Sequence, residues 1–341
     1  MRLEIDRQAI GARPAQAGRV EAEPKLRLSA GARELLRCPA CRARLELAGG
    51  ALRCRGAICG AVYPIVDGVP VLVDEAASLF SIADFVQQRA TYFKRESRLQ
   101  LAVKGLMPKI SRNVRAGANY ARLAALLLER SAAPRVLVLG GSVLGSGMEA
   151  LLAHPSIELV ESDVALGPRT ALIADAHAIP FDDGAFDGVI AQAVIPALVD
   201  PARAVDEIHR VLAAGGLVYA KSAFMQQVYG GRYDYTRYTH LGHRRLFRRF
   251  EEVDSGVVCG PGMGLAWSYQ HFLLSFTESQ PLRKLLRAVA RLTAFPLKYF
   301  DGYLAGKAGA LDAASAVYFI GRRSDRRLDD RELIKLYRGL S

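Results

Sequence analysis

Short apolar segments alternate with helical stretches between residues 134 and 258, and this alternation constrains the fold more than any other feature. Strands that alternate with helices pair in parallel and are covered by helices on both faces. The sequence therefore predicts an α/β protein with a doubly wound, seven-stranded sheet. Its strands are expected at residues 135–139, 157–162, 171–174, 187–192, 216–221, 252–258 and 314–323, with a helix from Pro201 to Leu212.

The 341 residues suggest more than one domain, and 51% of them are apolar, which is enough for a sizeable core. Their formal net charge of +12 favours an anionic partner, namely nucleic acid, an anionic membrane surface or a phosphorylated substrate. We find no signal peptide and no membrane-spanning segment, and we expect a cytoplasmic protein, with peripheral contact to the inner membrane face as an option. The expected divisions are a loose leader (1–30), a Cys/Gly segment (31–75), a helical linker or lid (76–133), the α/β domain (134–323) with a helical insertion (262–308), and a charged tail (324–341).

Four of the five cysteines lie in one short stretch as two pairs, Cys38 with Cys41 and Cys54 with Cys59. Twelve residues separate the pairs, so two tight turns can each present two thiolates to one ion. Four thiolates complete a closed, structural zinc site, and the metal would stabilise a segment too small to form its own core. Two disulfides or four unligated thiols are the alternatives, but a chain without a secretory signal favours zinc.

The same stretch resembles a known family. "LLRCPAC" followed by "YPIVDGVPVLV", over residues 34–74, is similar to the small zinc-ribbon domains that accompany and activate methyltransferases. The resemblance implies a structural ribbon or a platform for a partner, and no catalytic role for the zinc.

The sequence "RVLVLGGSVLGSGMEALL", residues 135–152, has the form of a nucleotide-binding strand, glycine loop and helix. It lacks the Lys and Ser/Thr of a P-loop and the G-x-S-x-G of a hydrolase elbow. A dinucleotide fingerprint fits "GSGMEA" only several residues beyond the strand, so a nicotinamide-dependent enzyme is a distant option. A glycine turn without a ligand is a further alternative.

Downstream, "IADAHAIPFDDGAFDGVIAQAV" (173–194) and "DPARAVDEIHRVLAAGGLVYA" (200–220) resemble class I S-adenosylmethionine-dependent methyltransferases of the type 11-like group. The resemblance spans about 134–258 and reaches the strand near 315. It implies a Rossmann-like sheet and S-adenosylmethionine as cofactor.

The resemblance also implies the cofactor-binding residues. Asp163, which lies 23 residues after Gly140, would hold the ribose. Asp175 would accept from the adenine amino group, Ala176 would offer its backbone amide, and Gln192 would face the methionine moiety or the substrate. The loop glycines that would let the backbone approach the cofactor are Gly140, Gly141 and Gly145. Ordinary capping or solvated roles for Asp163 and Asp175 are the alternatives.

Two residues depart from the family pattern. Val138 stands where an acidic residue is usual, and Ser142 stands where glycine is usual. The acidic residue normally organises the loop around the methionine end of the cofactor, so its absence puts cofactor affinity, and with it activity, in question.

The segment "YGGRYDYTRYTHLGHRRLFRRF" (229–250) follows the fifth strand, where loops of this fold build the substrate site. His240 and His243 are candidate bases for methyl transfer, and Arg237 is a candidate clamp for a phosphate or carboxylate. A purely structural role is the alternative for both histidines. The basic helical region 281–298 either lies on an anionic membrane or packs its apolar face on the sheet, and we favour packing.

Together these features predict a methyltransferase that acts on an unidentified acceptor, with a small molecule, a lipid-linked molecule or a glycan favoured. One alternative is a ribosomal or transfer RNA methyltransferase with a zinc ribbon, which suits the basic charge. The other is a catalytically degenerate scaffold that binds a protein partner.

Overall fold

The computed structural model describes residues 25–91 and 107–340. Most of the predicted leader and residues 92–106 of the predicted linker lie outside these ranges. The strands are β1 Leu45–Ala48, β2 Ala51–Cys54, β3 Val62–Val66, β4 Val69–Leu72, β5 Arg135–Leu139, β6 Glu158–Asp163, β7 Leu172–Ala174, β8 Phe186–Gln192, β9 Leu212–Ala223, β10 Phe250–Cys259 and β11 Ala316–Arg323.

The helices of the described residues run in the same chain order. They are α1 Ala30–Glu34, α2 Ile82–Val86, α3 Ala116–Arg130, α4 Glu149–Leu152, α5 Pro201–Val211, α6 His240–Leu246, α7 Pro261–Leu274, α8 Gln280–Ala294, α9 Leu297–Leu304, α10 Gly309–Asp312 and α11 Asp330–Ile334. Short 3₁₀ turns occupy Ile195–Ala197 and Gly231–Tyr233. Within the described ranges, no helix combines the length and apolarity needed to cross a bilayer.

The α/β fold is confirmed, but the prediction of seven strands is wrong, because the sheet has eleven in the order β1-β2-β3-β4-β7-β6-β5-β8-β9-β11-β10. The seven predicted strands are β5 to β11. The other four come from the cysteine segment, because β4 pairs in parallel with β7, with Val71 opposite Ile173 and Leu72 opposite Ala174. The ribbon is therefore an extension of the main sheet.

Buried side chains on both faces of the sheet explain why its central strands, such as β5 and β8, are largely apolar. On one face, Phe181 and Phe186 share a core with ribbon residues such as Leu36 and Tyr63. On the other face, α3 packs residues spaced at helical intervals against β5, β8, β9 and β11, namely Tyr120, Leu123 and Leu127.

Polar contacts also join the ribbon to the α/β domain. Arg37 pairs with Asp182, and its backbone N–H donates to the carbonyl of Pro180 over 2.9 Å. Arg42 reaches the buried Glu207, with 2.6 Å between Nη2 and Oε1. A carboxylate buried at an interface needs such partners, so this ion pair specifies how the ribbon sits on α5.

Candidate functional site

A cavity of about 570 Å³ opens at the carboxyl ends of β5, β6, β7 and β8. Loops at this end of an open α/β sheet form the usual ligand site of the fold. Six of the seven predicted cofactor-binding residues line the cavity, and they are Gly140, Gly145, Asp163, Asp175, Ala176 and Gln192. The seventh, Gly141, is absent from the lining and donates its N–H to the carbonyl of Ser162 over 2.9 Å.

The glycine loop after β5 requires glycine at its first position. Gly140 has a φ of +72°, and a Cβ there would lie 2.6 Å from Cγ2 of Val194. A side chain would therefore meet both backbone strain and a steric clash. The loop turns sharply at the cavity wall as a result.

Asp163 ties the glycine loop to the end of β6. Its Oδ2 accepts the backbone N–H of Ser142 over 2.9 Å, and the side chain is almost fully buried. Burial raises the pKa of the Asp163 carboxyl, against the opposing effect of the Ser142 donor. The carboxylate can accept further hydrogen bonds from hydroxyl groups in the cavity.

Asp175 follows β7 and is held from two sides. Its Oδ1 accepts from Nδ1 of His177 at 2.6 Å and from the His177 backbone at 3.0 Å, while Ser78 Oγ donates to Oδ2 at 2.5 Å. Burial acts to raise the pKa of Asp175, but these donors outweigh it, so the pKa lies below its usual value. A charged carboxylate is therefore fixed in the cavity wall.

His177 has a defined tautomer in this arrangement. Its Nε2 accepts the backbone N–H of Asp200 over 3.1 Å, which assigns the proton to Nδ1, facing Asp175. The imidazole thus joins the loop after β7 to the N-terminus of α5. Its hydrogen bond to Oδ1 holds the Asp175 carboxylate in its orientation.

Gln192 ends β8 and accepts a hydrogen bond on Oε1 from Tyr120 of α3. The next residue, Ala193, has a φ of +61°, an uncommon conformation for a residue with a side chain. Gly145 approaches the Gln192 carboxamide so closely that a Cβ would collide with it. The Gln192 carboxamide is thus fixed between α3 and the glycine loop.

The two departures from the family pattern have different structural consequences. Val138 lines the cavity and leaves that position of the wall apolar. Ser142 is accommodated because Gly167 packs directly against it, where a Cβ on Gly167 would lie 2.6 Å from the Cβ of Ser142. The serine is therefore compatible with the loop conformation, and Val138 is the departure that changes the cavity.

Two loops cover the mouth of the cavity. Residues 76–80 follow the ribbon and line one side, and Tyr229 and Tyr233 line another. Phe80 stacks on Tyr233 with 5.8 Å between ring centroids. A second cavity of about 490 Å³ shares Leu79, Phe80 and Tyr233 with the first. The aromatic stack therefore separates two adjoining spaces.

The structure does not bring the three predicted catalytic side chains to the cavity. His240 is buried and lies 2.9 Å from both Ser255 Oγ and Arg338 Nη2, and burial followed by the Arg338 charge lowers its pKa to about 4. His243 is also buried, and burial lowers its pKa to about 3. Neither lines the cavity. Their catalytic role stays a prediction that this placement does not support.

Arg237 also lies outside the cavity lining, but it supports the loop that covers the mouth. It pairs with Asp234, and its Nε and Nη2 donate to the carbonyls of Gln226 and Gln227 at 2.7 and 3.1 Å. The guanidinium lies over the ring of Tyr229, 5.4 Å from the centroid. Its visible role is therefore to hold the 226–234 loop.

The four predicted zinc ligands converge at one point. The sulfur atoms of Cys38, Cys41, Cys54 and Cys59 all lie within 4.8 Å of one another, with 3.8 Å between Cys38 and Cys59. Four zinc-bound thiolates at 2.3 Å in a tetrahedron would be separated by about 3.8 Å, so the donor set fits zinc. These four cysteines can hold a metal ion.

Sequence reasoning missed Ser78, Tyr120 and His177. Ser78 lines the cavity, and Tyr120 bonds the Gln192 carboxamide without lining the cavity itself. Both come from segments far away in the sequence, and no local pattern marks them. The sequence does carry a signal for His177, because an Asp-x-His spacing lets the histidine ring bond the carboxylate two residues before it.

Residues 149–220 match the sequence profile of a methyltransferase domain, and residues 34–68 match that of Trm112p-like protein. The chain combines a methyltransferase domain with a Trm112p-like ribbon. Both resemblances are thus confirmed. A search of curated proteins gave no significant match.

Among solved structures, one similar chain is in a complex containing the Haloferax volcanii Trm112 methyltransferase activator, with 17% identity and a TM-score of 0.39 over 62% of this chain and 90% of that one. Another is the Burkholderia thailandensis 1,6-didemethyltoxoflavin-N1-methyltransferase, with 14% identity and a TM-score of 0.38 over 71% of this chain and 87% of that one. At these TM-scores the likenesses do not define an activity.

Proposed function

We propose that the protein is an S-adenosylmethionine-dependent methyltransferase. One observation carries the proposal: six predicted cofactor-binding residues, on four different strand ends, line a single cavity. The match of residues 149–220 to a methyltransferase domain supports the same activity. The cavity wall also carries two buried carboxylates, Asp163 and Asp175, and buried charged groups in a cleft are typical of functional sites.

The lining fits the chemical groups of the cofactor. Asp163 would accept from the ribose hydroxyls and Asp175 from the adenine amino group, while apolar residues such as Ala176 and Leu198 would contact the ring. The glycine loop and Gln192 would hold the methionine end. When bound, S-adenosylmethionine supplies an electrophilic methyl group, and the chain's own contribution is to position the reactants and exclude water.

The acceptor is proposed to enter beneath the loops at the mouth. Phe80, Tyr229 and Tyr233 offer aromatic contacts, and Arg203 is the guanidinium side chain that lines the cavity in the described residues. An acceptor with an apolar part and an anionic group suits this lining, so a small molecule, a lipid-linked molecule or a glycan is favoured over RNA. Because the predicted bases lie elsewhere, positioning is proposed as the main source of catalysis.

We propose a structural role for zinc in the ribbon. Four thiolates close the coordination shell, so no position remains for a substrate. Zinc-bound thiolates also imply a reducing compartment, and we propose a cytoplasmic location on that basis.

The test is calorimetric titration of the zinc-loaded full chain with S-adenosylhomocysteine, with NADH as the control ligand. We expect micromolar binding of the former and none of the latter. Asp163→Asn should weaken binding by about tenfold to hundredfold, because it removes a charged acceptor. The control Glu129→Gln changes an exposed carboxylate on α3 and should leave binding unchanged.

Circular dichroism establishes that each variant is folded before titration. If the folded wild-type protein bound no S-adenosylhomocysteine, the methyltransferase proposal would fail, and a scaffold that binds a protein partner would be the better interpretation. Binding of NADH instead would indicate a nicotinamide-dependent enzyme.

A further inference from the structure

Helix α8 presents large aliphatic side chains to solvent. Their spacing of three, seven and ten residues places them along one face. They are exposed by 43, 60, 39 and 57%, and we call them the α8 stripe: Leu282, Leu285, Val289 and Leu292. Such exposure along a whole helical face is uncommon for residues of this type.

The side of α8 that faces the protein carries small residues and the half-buried Leu286. Ala290 and Ala294 are buried, with 0 and 2% of their surface exposed. An ordinary surface helix turns its leucines toward the core and its small or polar residues outward. In α8 four of the five large aliphatic residues are exposed instead, so packing on the rest of the chain does not account for the α8 stripe. The preference for packing that the sequence suggested does not explain these side chains.

Basic residues accompany the α8 stripe in the sequence, and no acidic residue lies among them. Between Ser279 and Phe300 the chain has five basic residues and no Asp or Glu, and the basic residues are Arg283, Lys284, Arg287, Arg291 and Lys298. Across residues 25–91 and 107–340, none of the five forms an ion pair with a carboxylate. Their positive charge is therefore not neutralised by acidic side chains in the described structure.

The neighbouring helices add exposed aromatic side chains. Helix α7 and its C-terminal turn expose Phe272 and Phe276 by 61 and 71%, and α9 exposes Phe300 and Tyr303 by 62 and 70%. Aromatic residues are favoured at the boundary between headgroups and acyl chains. The helical region thus carries the three residue classes that an interfacial membrane helix requires.

We propose that α8 docks on the surface of an anionic phospholipid bilayer, with the α8 stripe in the acyl boundary and exposed basic side chains of the same region, such as Lys284, at lipid phosphates. Arg283 and Lys298 donate to backbone carbonyls, whereas Lys284 and Arg287 are exposed. The charge complementarity selects this occupant, because a neutral protein surface would offer the exposed cations no anionic partner. RNA would pair with the cations but offers nothing to exposed leucines. The proposal stands apart from the proposed methyltransferase activity, since it uses none of the cavity residues.

The test is sedimentation of the full chain with vesicles of phosphatidylcholine alone or mixed with phosphatidylglycerol. We expect binding only to the anionic vesicles, and weaker binding as salt is raised. Leu285→Asp should weaken binding about tenfold or more, because it removes an inserted aliphatic side chain. The matched control is Ile334→Asp on α11, whose side chain is exposed by 66% against 60% for Leu285.

The charges are tested separately. Lys284→Gln should weaken binding to the anionic vesicles about fivefold, from roughly 1 kcal/mol per basic residue near such a surface. Lys335→Gln, which changes an exposed lysine next to α11, should leave it unchanged.

Any of four results would overturn the proposal. The wild-type chain could fail to sediment with anionic vesicles, or Leu285→Asp and Ile334→Asp could have equal effects. Sedimentation velocity could instead show a dimer that Leu285→Asp dissociates, which would assign the α8 stripe to a second copy of the chain. Tight binding of a short RNA without vesicle binding would assign the cations to nucleic acid.

Discussion

At the scale of single residues, Gly140 has a backbone conformation and surroundings that leave no room for a side chain. Gly140→Ala should lower the free energy of unfolding by about 1–3 kcal/mol, because a side chain is strained at this φ and would also displace Val194. Urea titration measures the change. The control is Gly302→Ala in α9, where a Cβ would meet nothing within 4 Å and alanine favours the helix. Equal destabilisation by both substitutions would contradict the argument.

A second prediction at the scale of single residues concerns His243 and the stability of the fold at acidic pH. Burial lowers its pKa from 6.5 to about 3, so below pH 6.5 the unfolded chain binds a proton that the folded chain does not. Folding stability should therefore fall as the pH decreases from 6.5 toward 3, by up to about 1.4 kcal/mol per pH unit for this group.

His243→Leu replaces the ring by an apolar side chain and removes this proton. Urea titrations at several pH values between 6.5 and 4 should give a shallower loss of stability for the variant than for the wild type. If the free energy of unfolding depended on pH equally in the variant and the wild type, His243 would not titrate in this way.

At the scale of elements, central strands of the α/β domain such as β5 and β8 were predictable because strands buried on both faces are largely apolar. β5 was predicted with its exact bounds, Arg135–Leu139. The pairing of β4 with β7 was not predictable, because "VPVL" carries no mark of its partner 100 residues away. Pairing between strands that are distant in the sequence depends on tertiary packing. The hydrophobic pattern of a single strand therefore does not identify its partner.

In the candidate site, too, some residues were predictable from the sequence and others were not. Residues at strand ends, such as Asp163 and Gln192, were predictable because the fold gathers those ends. Ser78 and Tyr120 come from outside the α/β motif and were not predictable. The burial of His240 and His243 was not predictable, since the sequence marks a titratable ring but not its burial.

The prediction for the ribbon concerns its zinc binding. Cys59→Ser should weaken zinc binding by at least about 100-fold, since even partners outside the coordination shell often contribute 10–100-fold. Zinc content per chain, measured with a chromogenic chelator, reports the change. The control Cys259→Ala alters the cysteine outside the cluster and should retain full zinc content. Retention of zinc by Cys59→Ser would exclude the four-cysteine site.

At the scale of the whole molecule, the shared core and the common sheet predict that ribbon and α/β domain unfold together. Leu36 and Tyr63 of the ribbon belong to the same buried cluster as Phe186 and Phe247. A ribbon folded on its own, in contrast, would be lost first, because a segment of that size buries little apolar surface. Cooperative unfolding is therefore a direct consequence of the eleven-stranded sheet.

Two probes at distant points of the chain can test this coupling. Trp267 is the single tryptophan of the sequence and stacks on His271 in α7, so its fluorescence reports the helical region. Zinc release reports the ribbon. We expect both signals to change over the same range of urea concentration, as two-state unfolding requires. If zinc left at clearly lower urea than the fluorescence change, the ribbon would be a separate folding unit despite the β4–β7 pairing, and the shared core would contribute little to holding it in place.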